Sequence, residues 1–78
     1  MDSSEVYTAV HTFFSDKGKK IPSNSYDLFD NEWIDSMELL ELILHLESKF
    51  GFEIDQELMT VDNFRSVDQI ATTLADEQ

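Results

Sequence analysis

The sequence predicts an all-α fold, a four-helix bundle with a long loop between helices 1 and 2 and a short third helix. Three stretches carry apolar residues at the three- and four-residue spacing that places them on one side of a helix. A helix N-cap signal precedes the second and third of these stretches, and a glycine follows the first and second. The chain has 78 residues, so we expect one domain, residues 1–78.

The first helix is predicted to begin at Asp2 or Ser3 and to end near Lys17-Gly18, because glycine just past a basic last turn is a common stop. Its apolar face is Val6, Ala9, Val10, Phe13 and Phe14. The connection over residues 18–34 is long for a compact domain, but its apolar side chains are expected to pin it across the helices. They are Ile21, Tyr26, Leu28, Phe29, Trp33 and Ile34. Residues 27–30 are expected to form a short helical turn.

The longest predicted helix covers residues 34–50, and its start is well marked. Asp35 is a suitable N-cap because its carboxylate can accept from the free N–H groups of the first turn, and Glu38 completes a capping-box spacing. Gly51 ends the helix. Ser36 therefore lies on the first turn, at the positive end of the helix dipole, where an attached anion is favoured.

This central helix has too many apolar residues for one ordinary stripe. One arc, expected in the core, contains Leu39, Leu42, Ile43, Leu46 and Phe50. A second arc, beside Ser36, contains Met37, Leu40 and Leu44. Glu47 projects between the arcs, Glu41 and Ser48 flank the second arc, and the remaining polar side carries Glu38, His45 and Lys49. Either the second arc is an exposed patch for a partner or both arcs are buried in a small bundle, and the pattern alone leaves both open.

The C-terminal part is predicted to contain two more helices. After an extended stretch over residues 52–54, a short third helix is expected within residues 55–65, with Thr60 as its cap. The side chains expected to turn inward from it are Leu58, Val61 and Phe64. Ser66 and Gln69 form a capping box for the last helix. Its single apolar stripe is Val67, Ile70, Ala71 and Leu74.

The composition excludes several classes of function. The formal net charge is −12, from 17 acidic and 5 basic residues. This charge repels phosphate backbones and anionic membrane surfaces, so we expect no nucleic acid and no membrane as partner, but a protein with a basic surface. The absence of cysteine excludes disulfides and cysteine-based zinc sites. Without an apolar stretch of about 18 residues or a signal-peptide pattern, we expect a cytoplasmic protein, and we expect a monomer.

Catalysis by Ser36 would require a base, usually histidine, with a third group to orient it. His45 lies nine residues further along the same helix, roughly 13 Å along its axis and on the opposite side. Counted from Asp30, the acidic loop has Glu41 at the twelfth position of a calcium loop, but it has Asp35 instead of glycine at the sixth and Ile34 at a ligand position, so we expect no metal site. We therefore expect no enzyme, and interpret Ser36 as an acceptor modified by another enzyme.

A longer motif surrounds Ser36. The triplet Asp35-Ser36-Met37 is followed by Glu38, Leu40, Glu41-Leu42 and Leu46-Glu47, and the motif closes with Phe50-Gly51-Phe52-Glu53-Ile54. The flanking motifs are Asp27-Leu28-Phe29 and Asn63-Phe64-Arg65-Ser66-Val67. With these residues at these distances, nearly the whole chain resembles the acyl and peptidyl carrier protein family.

The resemblance implies that 4′-phosphopantetheine, donated from coenzyme A by a phosphopantetheinyl transferase, is attached covalently to Ser36. Its thiol would carry an acyl or aminoacyl group as a thioester between an acyl- or aminoacyl-loading ligase or transferase and downstream biosynthetic enzymes with basic docking surfaces. The acidic residue before the serine, Asp35, would help to recruit the transferase and its metal. The positions that the resemblance assigns to recognition of the transferase and partners are Asp35, Met37, Glu38, Leu40, Glu41, Leu44, Glu47 and Ser48.

One departure from the family is Trp33, which stands where glycine is frequent and which we expect to lie against the bundle. The stretch 63–67 is more similar to peptidyl and aminoacyl carriers than to fatty-acid synthesis carriers, which favours a specialised carrier whose cargo the sequence does not identify. The alternative is a small acidic helical interaction module that binds a basic partner without modification, in which Ser36 only caps a helix.

Overall fold

The computed structural model describes residues 3–75, and this part of the chain is all-helical. It contains α1 (Ser3–Ser15), α2 (Ser36–Phe50), a 3₁₀ helix (Gln56–Leu58) and α3 (Val67–Ala75), and no strand within these residues. Helix α1 packs mainly against α3 and less extensively against α2. The predicted all-α class is confirmed, whereas a bundle of four helices is not, since three α-helices are present in residues 3–75.

Helix α1 buries the face that the spacing predicts. All five predicted side chains are buried: Val6, Ala9, Val10, Phe13 and Phe14. The helix begins at Ser3, and Asp2 lies outside the described residues. It ends at Ser15, slightly before the predicted stop, and a turn follows in which the N–H of Gly18 donates to the Ser15 carbonyl at 2.9 Å. Gly18 has φ +79°, the left-handed conformation that glycine adopts without a steric penalty.

The long connection between α1 and α2 is anchored at Leu28, as its apolar composition predicts. Leu28 is fully buried, its N–H donates to the Arg65 carbonyl at 2.8 Å, and its own carbonyl accepts from Trp33 N at 2.8 Å. Asp27 forms the expected turn by accepting from the N–H of Asp30 at 2.8 Å, and its carboxylate also lies 3.0 Å from the Arg65 guanidinium. The loop is therefore tied to the segment before α3.

The short third helix that we expect within residues 55–65 is replaced by the 3₁₀ helix and a separate turn. The N–H of Phe64 donates to the Val61 carbonyl at 3.1 Å, and the Thr60 hydroxyl accepts from Asn63 N at 3.3 Å, so Thr60 caps one turn only. Phe64 is fully buried as predicted, but Val61 is 42% exposed, so its predicted inward orientation is wrong. A single turn cannot direct all three predicted apolar side chains to one side.

Helix α3 begins at the predicted capping box, where the Ser66 hydroxyl accepts from Gln69 N at 3.1 Å. Its four predicted stripe residues are buried: Val67, Ile70, Ala71 and Leu74. A hydrogen bond of 2.7 Å from the Tyr7 hydroxyl to Asp68 links α3 to α1 at the surface. None of the helices in residues 3–75 combines the length and apolar character needed to cross a membrane.

Candidate functional site

Ser36 is the first residue of α2, and both it and Asp35 are exposed. Asp35 is the N-cap, and its Oδ1 accepts from the N–H of Glu38 at 2.8 Å, as the capping signal predicts. The Ser36 hydroxyl makes no hydrogen bond to another residue in the described part of the chain. Its oxygen is therefore open to solvent and to an enzyme that approaches the start of α2.

The second arc of α2 forms an exposed apolar row. Met37 is 73% exposed, Leu40 is 54% exposed and Leu44 is 56% exposed. The first arc faces the core, where three of its residues are buried: Leu42, Ile43 and Leu46. The interpretation in which both arcs are buried is therefore wrong. Large exposed apolar side chains grouped on one helix face are typical of a partner surface.

Two residues on the polar side of α2 lie towards α1 and the turn that follows it. Glu38 is partly buried, and its carboxylate lies 3.8 Å from Lys17 Nζ. The ring of His45 lies 5.4 Å from the ring of Phe13, centroid to centroid, and its Nε2 is buried. Lys49, on the same polar side, is exposed.

The carboxylates around the apolar row differ in their partners. Glu41 is exposed and accepts a hydrogen bond from Lys17 Nζ at 3.1 Å. Glu47 is partly buried, and its Oε2 accepts from the N–H of Ile54 at 2.7 Å, which fixes the chain after α2. Ser48 is exposed. The sequence gives no signal for this bond of Glu47, because it depends on the reversal of the chain after the helix.

Trp33 lies against the bundle, as expected. Its ring centroid is 5.7 Å from that of Phe14 and 5.2 Å from that of Tyr26, and the side chain is partly buried. Lys19 Nζ lies 5.7 Å from the centroid of the Trp33 ring, within the distance of a cation–π contact. The tryptophan thus packs on the loop side of the bundle, and Ser36 stays exposed.

Neither histidine is engaged with Ser36. His11 Nε2 lies 2.7 Å from Asn24 Oδ1, which ties α1 to the long loop, and His45 packs on Phe13. Among residues 3–75, no group of three or more His, Asp or Glu side chains could hold a metal ion. Of the predicted recognition residues, the structure places Met37 and the rest of the apolar row on one exposed side, whereas Glu38 turns to α1.

Comparisons with protein-family models, curated proteins and solved structures found no match for this chain. Its function is therefore argued from the residues and geometry of the site.

Proposed function

We propose that this protein is an acyl or aminoacyl carrier in which Ser36 is the attachment site of 4′-phosphopantetheine. The Ser36 oxygen would form a phosphodiester with the phosphopantetheine phosphate of coenzyme A, and adenosine 3′,5′-bisphosphate would leave, in a reaction catalysed by a separate transferase. The terminal thiol of the attached group supplies the thioester chemistry. This chain supplies the attachment oxygen and the surface on which partner enzymes dock.

The observation that carries the proposal is the exposed Ser36 hydroxyl at the start of α2, followed on the same helix by the exposed row of Met37, Leu40 and Leu44. A transferase must reach the hydroxyl oxygen, and later partners must recognise the surface beside it. The spacing places both on one side of α2. The buried Leu42 and Leu46 hold the opposite side of the helix against the core, so that docking requires no unfolding.

The residues around Ser36 fit a phosphodiester attached to its oxygen. A negative charge at a helix N-terminus is stabilised by about 0.3–1 kcal/mol through the helix dipole. Asp35 opposes this weakly through solvent, because it is exposed. No basic side chain bonds to Ser36 in the described part of the chain. We therefore expect the phosphate to stay solvated and the attached arm to remain mobile, which suits delivery to several active sites.

The resemblance implies a short helix between the central and last helices, and the 3₁₀ helix Gln56–Leu58 occupies this place in the chain. We propose that this segment and the turn before α3 serve as the third element of the carrier fold. The exposed Val61 lies in that turn.

The test is co-expression with a broad-specificity phosphopantetheinyl transferase, followed by intact-protein mass spectrometry. We expect the mass of one phosphopantetheine to be added to the wild type and nothing to be added to Ser36→Ala. Ser15→Ala is the matched control, because Ser15 is exposed at the end of α1 and is not one of the recognition residues. It should be modified like the wild type. Ser36→Ala should remain folded, since a solvated hydroxyl contributes at most about 1 kcal/mol.

An unmodified wild-type protein would refute the proposal. Modification that persists in Ser36→Ala would refute the assignment of the site. The unmodified outcome would favour the acidic interaction module, which uses the same exposed row and the net charge of −12 to bind a basic partner. The mass of the wild-type protein therefore separates the two functions directly.

A further inference from the structure

Lys17 connects the end of α1 to the acidic side of α2. Its Nζ donates to Glu41 Oε2 at 3.1 Å and lies 3.8 Å from Glu38 Oε2. The same Nζ lies 5.1 Å from the centroid of the Phe13 ring. The ammonium group is thus held between two carboxylates of α2 and an aromatic ring of α1.

This pairing is specific within a basic segment. Lys17, Lys19 and Lys20 supply three of the five basic residues of the chain. Lys19 lies over the Trp33 ring, and Lys20 is exposed and makes no ion pair within residues 3–75. Of these three lysines, Lys17 alone pairs with α2 in the described residues.

The position of Glu41 makes this pairing relevant to docking. Glu41 borders the exposed row, one residue after Leu40 and three before Leu44. A basic side chain of a partner that approaches this edge meets the Glu41 carboxylate, which is already paired with Lys17. The Lys17 and Glu41 side chains are 34% and 55% exposed, so the pair lies in solvent, where such pairs are weak and exchange readily.

We propose that Lys17 is a positioning residue that competes with basic partners for Glu41 and thereby sets how strongly the docking surface binds them. This inference rests on the proposed function, because it takes the apolar row as the docking surface. The favoured partner presents an arginine to Glu41. A guanidinium binds a carboxylate through two parallel hydrogen bonds, whereas Lys17 makes one hydrogen bond to Glu41.

The hydrogen bond from Lys17 to Glu41 raises the pKa of the Lys17 ammonium above its usual value, with Glu38 adding to the effect. Lys17 is therefore charged at neutral pH and competes throughout the physiological range. A partner with a lysine at this edge exchanges one ammonium for another, whereas a partner with an arginine gains a second hydrogen bond. Glu41 thus favours arginine over lysine, while Lys17 weakens the binding of both.

The first experiment measures KM and kcat of a broad-specificity phosphopantetheinyl transferase for Lys17→Met. We expect KM to fall by about 1.4- to fivefold, the range spanned by exposed ion pairs, with kcat unchanged. Lys20→Met is the matched control: it removes the same charge but no contact with α2, so its KM should fall less. Lys17→Arg should not lower KM, because the cation remains beside Glu41. In a Glu41→Gln background, Lys17→Met should change KM no more than Lys20→Met does.

The second experiment does not depend on modification. Two amphipathic helical peptides are used that are identical except that the basic residue is arginine in one and lysine in the other. The protein is titrated into each peptide, and binding is followed by fluorescence anisotropy. We expect the arginine peptide to bind more tightly, and Lys17→Met to strengthen binding of both. Equal effects of Lys17→Met and Lys20→Met, a rise in KM, or no binding of the arginine peptide would overturn the inference. A wild type that no transferase modifies, with the peptide results as expected, would refute the carrier function and leave the role of Lys17 standing.

Discussion

The substitution of leucine by alanine, made at two positions, should distinguish a residue that stabilises the fold from a residue of the proposed docking surface. Leu28 is fully buried in the long loop, whereas Leu44 is 56% exposed on α2. Burial predicts a large loss of stability at the first position and almost none at the second. The chemical change is identical, and the helix propensities of leucine and alanine differ by less than about 0.7 kcal/mol, too little to account for the difference.

The magnitude at Leu28 follows from how its backbone is held. Its N–H donates to Arg65, and its carbonyl accepts from Trp33 and Ile34, so the chain cannot collapse into the space that the side chain leaves. Truncation of a buried leucine costs about 2–5 kcal/mol, and a site that cannot relax belongs to the upper part of that range, about 3–5 kcal/mol. At roughly 0.05–0.15 kcal/mol per residue, the whole domain has about 4–12 kcal/mol of stability. Leu28→Ala should therefore remove a large part of it.

At Leu44 the expected change in unfolding free energy is within about 0.5 kcal/mol, as for most surface positions. Its effect should instead be a higher transferase KM, because the apolar row loses one side chain. Urea unfolding followed by circular dichroism and by Trp33 fluorescence measures both variants. Trp33 packs on Phe14 and Tyr26, so its emission reports the packing of the loop.

Three results would each refute a part of this reasoning. If the unfolding free energy of Leu28→Ala lies within about 1 kcal/mol of the wild-type value, the loop is not anchored at that leucine, because truncation of a buried leucine costs more than this. A Leu44→Ala protein that loses more than about 1 kcal/mol would show that the apolar row packs against the fold. A Leu44→Ala protein of normal stability and unchanged KM would remove Leu44 from the docking surface.

Two further predictions concern single carboxylates. Asp35→Ala should lower the unfolding free energy by about 1 kcal/mol, because the N–H of Glu38 loses its acceptor. Asp35→Asn should preserve most of the cap. Thermal unfolding of the wild type and the two variants measures the difference. The pKa of Asp27 is lowered by the hydrogen bond from the N–H of Asp30 and then by the Arg65 guanidinium. The charged form of Asp27 therefore stabilises the fold at pH values above its unfolded pKa of about 4. This stabilisation is lost as the pH falls through the pKa of the folded state. The stability difference between the wild type and Asp27→Asn, from urea midpoints between about pH 6 and about pH 3, should shrink towards acid pH, and a constant difference would contradict the assignment.

The start of α2 could be predicted from the sequence because its determinants are local. A cap at Asp35, a glycine at position 51 and the three-four spacing of leucines act within one helix and need no neighbour. The same spacing separates the buried Leu42 from the exposed Leu40. The exposure of Ser36 follows from its place on the first turn.

The segment before α3 could not be predicted in the same way. Short helices are marginal by themselves, so tertiary contacts decide their form. Here the side-chain amide of Asn63 donates to the Leu58 carbonyl at 3.1 Å, and the Thr73 hydroxyl donates to the Asn63 carbonyl at 3.2 Å. These bonds favour a 3₁₀ helix followed by a turn. They join residues whose proximity the sequence does not reveal.

Periodicity gives the direction of a side chain around a helix axis but not what lies in that direction. Glu38 and Glu47 are acidic residues of the helix that begins at Ser36, yet the Glu38 carboxylate lies beside Lys17 and the Glu47 carboxylate accepts from Ile54 N. Their carboxylates serve contacts within the chain, and Glu41 is shared between Lys17 and solvent. The surface open to a partner is therefore narrower than the motif around Ser36 indicates. In the proposed function, docking uses the apolar row for contact and Glu41 for charge, and we propose that the pairing of Lys17 with Glu41 governs it for this reason.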